Sequence, residues 1–386
     1  MNASITKHRV NWIDGMKINK NHFIDSENSL LSLVERSIKK SITPINFGIL
    51  PMHNNQQKSI DVSISLDGQD SVEVLLNSCV AITLGGSLVY ITPETKELLE
   101  QSGYVLKHQY TLNKDEQEWY VVLTVNPYNP IPVGNSKPDE EPPRHPFTLP
   151  EYKINVLPKS EVSNKEFGLY HITLGKIILI DGIPQLYQDF IPPCASIQSH
   201  DDLKFTYTEL SFFLNQMEGY CMHIIQKIHQ KKQTNDLAHM VLHVSERTLQ
   251  YLNNTISEFR LIDKYEPPIA MITKQANLAR TIKSSLDVFI GTGKEELLNY
   301  LTDWCDLNQG AFENVLIDMI DLEYVHTDVN ASLQKIASFT KLMLSLFKKL
   351  NELDYIGKKN DSRIFVKEEV VDTSKEIKSR RSFLLD

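Results

Sequence analysis

Eight side chains between positions 203 and 228 return at steps of 4-3-4-3-4-3-4: Leu203, Tyr207, Leu210, Leu214, Met217, Cys221, Ile224 and Ile228. A 3.5-residue repeat held for about four heptads keeps one stripe of a helix against a neighbouring helix, so this stretch has to fold as packed helices. The pattern returns as Val329, Leu333, Ile336, Thr340, Met343, Phe347 and Leu350, with Thr327 or Asp328 placed to cap the helix. Between the two seams the spacing predicts helices near 234–262, 269–290, 294–305 and 307–325, separated by Pro267-Pro268 and Gly291-Thr292-Gly293. A seam can close within one chain's bundle or against other copies. The expectation here is that a lone subunit cannot cover both stripes, so that copies associate.

The first half has a different texture. Residues 20 to about 40 read as an amphipathic helix, with Leu30, Leu31, Val34 and Ile38 on one side and Glu35, Arg36, Lys39 and Lys40 on the other. From about 45 to 190 short runs alternate with turn signals. Ser59 to Leu66 alternates with period two, Asp67-Gly68 makes a turn, and Val72 to Ala81 follows. Gly85-Gly86 breaks that run ahead of Ser87 to Ile91. Further strands are predicted at 104–110, 119–125, 152–157 and 169–180. Seven or more strands with no helices between them favour an antiparallel sandwich. Eight of the 17 prolines lie between Pro127 and Pro150, which predicts a surface excursion outside the sheet ladders.

The strands stop at Phe190-Ile191-Pro192-Pro193-Cys194. The resulting organisation is α+β and multidomain: an arm, helix and antiparallel β-sandwich over 1–195, a helical bundle over 196–355, and a short tail over 356–386 with a possible strand from Arg363 to Val371. A chain of 386 residues exceeds one hydrophobic core.

No chemistry of catalysis is legible. His239 and His243 stand four apart on a predicted helix, but the segment His-Met-Val-Leu-His lacks the Glu of a zinc protease and has no third ligand nearby. Gly291-Thr292-Gly293-Lys294 fails as a phosphate loop, since Val288 occupies the first Gly position and Glu295 follows the Lys. The cysteines Cys79, Cys194, Cys221 and Cys305 form no CxxC, which reads as reduced thiols in a cytoplasm. A formal charge of -9 argues against nucleic acid as a partner. No cofactor, metal or small-molecule substrate is expected. The N-terminal stretch does not read as a signal peptide, and no apolar run is long enough to span a membrane.

The most specific run is Val10-Asn11-Trp12-Ile13-Asp14-Gly15-Met16, followed by His22-Phe23. It reads as an anchored arm: large apolar groups with a Gly that lets the backbone turn sharply. The run resembles the opening of the TssK family, baseplate subunits of bacterial type VI secretion systems, in Trp12, Gly15, Met16, His22 and Phe23. Lys20-Asn21 stands where that family often has Pro-Gln. The order of a β-domain, a Phe-Ile-Pro-Pro transition and a long helix matches as well.

The resemblance implies a cytoplasmic homotrimer with a β shoulder and a helical neck. The shoulder docks on the TssF–TssG wedge, and the far end faces a membrane-complex component of unknown identity at the inner membrane. The arm residues are then expected to bind the wedge or a sister subunit. Leu203, Leu210, Leu214, Met217, Ile224, Ile228, Leu333, Ile336, Met343 and Phe347 are expected to pack in the helix seams. Longer family members carry a C-terminal head; with about thirty residues given after Leu353, the resemblance leads to the expectation of a reduced or absent head. The competing reading is a phage-like trimeric receptor-binding or adhesion protein.

Overall fold

The computed structural model describes residues 7–52, 58–67, 71–113, 115–162, 168–305 and 307–357. The Asp67-Gly68 turn, the strand at 363–371 and nearly all of the 356–386 tail lie outside the described residues. The fold is α+β, with two antiparallel sheets and a set of helices. It divides into two compact units: Met1–Asp201 with His326–Val329, and Asp202–Val325 with the chain from Asn330 onward. The four residues ahead of the last helix belong to the first unit.

In the first unit, α1 (Lys20–Lys39) precedes β1 (Gly48–Ile49), β2 (Ile60–Asp67), β3 (Ser71–Ile82) and β4 (Leu88–Ile91). Helix α2 (Pro93–Gln101) follows, then β5 (Lys107–Thr111), β6 (Glu118–Val133), β7 (Phe147–Pro158), the single turn α3 (Lys159–Val162), β8 (His171–Ile180) and β9 (Ile183–Leu186). One sheet is built on β3, which pairs antiparallel with β1, β2, β4 and β5. Its alternate residues Val72, Val74 and Leu76 are buried, as period-two patterning requires. The other sheet runs β7-β6-β8-β9 around Trp119, Val121 and Leu123.

Two expectations fail here. The strands are interrupted by α2, whose start is written as Thr92-Pro93-Glu94: Thr92 Oγ1 accepts from Thr95 N at 3.4 Å, Pro93 opens the first turn, and Glu94 sits at the positive end. The prolines also do enter a ladder. After a bulge between Asn126 and Pro130, β6 continues with Pro130 opposite Pro150, Ile131 opposite Leu149, Pro132 opposite Thr148 and Val133 opposite Phe147. Antiparallel pairs alternate between bonded and non-bonded, and two facing prolines can only form a non-bonded pair. Pro132 has the same parity. Because β8 pairs β6 only up to Thr124, no neighbour on the other side needs the missing N–H groups.

The transition at 190–194 is buried rather than a loose linker. Ile49 N donates to Pro193 O at 2.7 Å and Ala195 N donates to Ile49 O at 2.9 Å. Gly48 makes this possible: at φ +107 it passes so close to Pro193 that a Cβ would lie 2.0 Å from that carbonyl oxygen.

The second unit contains α4 (Asp201–Gln230), α5 (Asp236–Leu261), α6 (Ile269–Asp287), α7 (Lys294–Thr302), α8 (Gln309–Ile320) and α9 (Asn330–Glu352). Asn235 caps α5 by accepting from Ala238 N at 2.9 Å. Helix α9 begins at Asn330, just after Thr327 and Asp328. Tyr207 stacks on Phe259 at 4.7 Å and donates its hydroxyl to the Phe259 carbonyl at 2.8 Å. The Gly291–Gly293 segment turns between α6 and α7 with both glycines at positive φ.

Candidate docking surface

The arm is ordered by its own residues. Ile13 to Met16 form a turn closed by Met16 N to Ile13 O at 3.3 Å, and Gly15 takes φ +77, the left-handed position that a type II turn reserves for glycine. Asn19 caps α1 by accepting from Asn21 N at 2.9 Å, while His22 Nδ1 accepts from Asn19 N at 3.3 Å. This is a capping box with His where Glu or Gln is usual. The Trp12 ring meets His22 at 6.1 Å and Phe23 at 6.2 Å. Thus Trp12, Gly15, His22 and Phe23 form one local arrangement, with Met16 half-buried beside it.

Helix α1 packs by its polar side. Its buried residues are Asn28, Ser29, Ser32 and Glu35. Leu30 is 55% exposed and Val34 54%, and Leu31, Leu33 and Phe23 are exposed with them. The apolar side of the sequence pattern faces outward, and Glu35, on its polar side, is 8% exposed.

The cause is a hydroxyl cradle around one carboxylate. Glu35 accepts from the Tyr128 hydroxyl at 2.7 Å, the Tyr170 hydroxyl at 3.4 Å and the Ser87 hydroxyl. Those donors stand at the start of β4, in the bulge of β6 and just before β8. Hydrogen bonds to a charged acceptor are about twice as strong as neutral ones, which fixes the helix by its polar side. Burial, with Glu35 beside it, pushes the Tyr170 hydroxyl up to about 12, and the same causes, burial first, raise Tyr128. The Gly85-Gly86 turn closes the arrangement: a Cβ on Gly85 would lie 2.8 Å from the Leu169 carbonyl oxygen, and one on Gly86 2.8 Å from that of Glu35.

Arm and helix together present Trp12, Ile13, Ile18, Phe23, Leu30, Leu31, Leu33 and Val34 as exposed apolar side chains within 23 positions. Isolated exposed hydrophobics are ordinary, but a contiguous group marks an interaction surface.

The seam residues occupy the opposite environment. Leu203, Leu210, Leu214, Met217, Ile224 and Ile228 on α4, and Leu333, Ile336, Met343 and Phe347 on α9, are all buried within one chain. Phe213 meets Phe339 edge-on at 6.4 Å. The expectation that a lone subunit leaves these stripes uncovered is corrected: they are core, because α4 and α9 share a unit with four other helices.

Among the described residues no group of three or more His, Cys, Asp or Glu is arranged to hold a metal ion. His239 is exposed, and the His243 ring meets Phe289 at 5.4 Å. Burial pushes the Cys79 thiol up to about 12 and raises Cys194 and Cys221, so these thiols stay protonated and poorly nucleophilic. No helix among the described residues is long and apolar enough to cross a membrane.

No family model and no curated protein matches the sequence. Among solved structures, the chain is similar to TssK. A crystal structure of TssK aligns at TM-score 0.49 and 14% identity, covering 89% of this chain and 69% of that one. TssK from the EAEC type VI secretion system in complex with nanobody nb18 aligns at 0.43 and 14%, covering 83% and 96%. The TssK-TssF-TssG baseplate subcomplex seen by cryo-electron microscopy gives 0.45 and 13%, covering 90% and 99%. The residues matched to the TssK opening by sequence are those that build the exposed arm. Reading the sequence missed Leu33 as a surface residue and Ser87, Tyr128 and Tyr170 as its supports. A second helical stripe, Asn28, Ser29, Ser32 and Glu35, was the available signal.

Proposed function

We propose that the chain is a TssK-type baseplate subunit of a type VI secretion system, an assembly part rather than an enzyme. In this reading it is a homotrimer. Its first unit, a β-sandwich shoulder, docks on a TssF–TssG wedge, and its helical second unit is a neck leading toward the membrane complex. It acts in the cytoplasm, held at the inner membrane through partners.

The observation that carries the reading is the outward apolar surface of arm and α1, held by the Glu35 cradle. A lone soluble chain gains nothing from burying Ser32 and exposing Leu30 and Val34; the arrangement makes sense when a partner covers the apolar side. The residues that build it include the five that match the TssK opening. With both heptad seams closed internally, contacts between copies are assigned to surfaces other than those seams.

Co-expression with TssF and TssG, followed by affinity capture, tests this. Wild type is expected to carry both wedge proteins, and Trp12→Ala with Phe23→Ala to lose most of the capture while the circular dichroism is unchanged. Light scattering is expected to give three times the protomer mass. A monomer that captures neither wedge protein defeats the proposal, as does capture indifferent to Trp12 and Phe23.

A further inference from the structure

The second unit carries a groove of about 520 Å³ between α5 and α6, lined by His243, Arg247 and Tyr251 on one wall and Asn277, Arg280 and Ser284 on the other. A contact crosses between the helices near each end. At one, the Tyr251 hydroxyl donates to the Lys274 carbonyl at 2.7 Å; at the other, the His243 ring meets Phe289. Tyr251 lies eight helical positions after His243, so the groove is about 12 Å long, the span of about four extended residues.

Arg247 on α5 and Arg280 on α6 line the groove from opposite walls. Arg247 Nη1 donates to the Gln250 amide oxygen at 3.0 Å, and neither arginine makes an ion pair among the described residues. No carboxylate lines the groove. The nearby Asp287 is committed to Lys283 at 2.6 Å and Lys294 at 2.7 Å. Two guanidinium groups lining one groove with no carboxylate partner suit an anion, and their planar forks match a carboxylate through paired N–H···O bonds. In a chain of net charge -9 this is a local reversal of sign.

We propose that this groove binds a short acidic segment of a partner protein, with carboxylates seated between Arg247 and Arg280. The apolar flank selects a peptide over a free anion: Val288 and Ile290 are exposed beside the His243–Phe289 end, where an apolar side chain of the segment would lie. The site is independent of the arm surface and goes beyond the baseplate reading.

Fluorescence anisotropy with the full chain and a labelled eight-residue Asp/Glu peptide carrying one Phe tests it. Binding is expected to weaken at least tenfold in Arg247→Gln with Arg280→Gln, and to fall steeply with added salt. Because both side chains are exposed, the double variant keeps its circular dichroism. Replacing the peptide's acids by Lys is expected to abolish binding, and replacing its Phe by Ser to weaken it. No binding by the acidic peptide, or equal binding by the double variant, overturns the proposal. So does tighter binding of a single-stranded RNA of equal charge through the same arginines.

Discussion

Helices α1 and α4 carry the same kind of message and meet opposite fates. Both have a polar and an apolar side at helical spacing, yet α4 buries Leu210, Leu214 and Met217 whereas α1 exposes Leu30, Leu31 and Val34. The difference lies in what each helix is packed against. Helix α4 has apolar neighbours on α5 and α9, with Tyr207 stacked on Phe259 and Phe213 edge-on to Phe339. Helix α1 lies on a surface that offers hydroxyls to Glu35, and a buried carboxylate with three donors is costly to move. An apolar stripe states that burial is wanted; it does not name the body that supplies it.

Substitution at Leu214 separates the two helices most sharply. Leu214→Asp puts a charge into a site only 1% exposed and is expected to cost about 4 kcal/mol, seen as loss of the second unit's cooperative unfolding by circular dichroism. A folded, merely dissociated protein would return the seam to the role of a subunit contact. Next in size, Glu35→Leu leaves the hydroxyls of Ser87, Tyr128 and Tyr170 without their acceptor and is expected to cost about 2–3 kcal/mol, with α1 becoming the first site of limited proteolysis. Unchanged protection of α1 would mean that its inward face is held by something else.

A smaller effect comes from pH. His326 is buried, with Nε2 at 2.8 Å from the Phe47 carbonyl oxygen; burial holds its pKa below the usual 6.5. The folded state then resists protonation that the unfolded state accepts. Its contribution to stability is complete above about pH 6.5 and is lost as pH falls toward the depressed folded value, at no more than about 1.4 kcal/mol per pH unit. His326→Asn is expected to flatten that part of the first unit's profile in acid titration followed by fluorescence; an unaltered slope would relieve His326 of the role. The smallest change in stability belongs to Leu30→Ser with Val34→Ser, within about 0.5 kcal/mol by thermal melting, because both side chains already face solvent. A large loss there would mean that α1 packs by its apolar side after all.

Much of the fold was legible because local spacing and local burial agree. The period-two strand from Ser59, the helix start near 234 and the glycine break before α7 follow from neighbours in sequence. Where reading failed, distant partners decided. The prolines at 130, 132 and 150 looked barred from a ladder, yet their parity and the early end of β8 make room for them. Helix α2 was hidden by the strands around it, although Thr92-Pro93-Glu94 is a helix start. In the docking surface, Trp12, Gly15, His22 and Phe23 were readable as a group because a turn, a cap and a ring cluster are all short-range.

Sequence alone thus determined that residues 20–39, 203–228 and 329–350 want helical structure with an apolar side, and that 59–82 want strands. Only the tertiary structure decided which side of α1 is inside. The donors that fix Glu35 lie 52, 93 and 135 positions away along the chain, beyond the reach of any periodicity. Period is a property of one helix, whereas burial is a property of the partners that the whole chain brings to it.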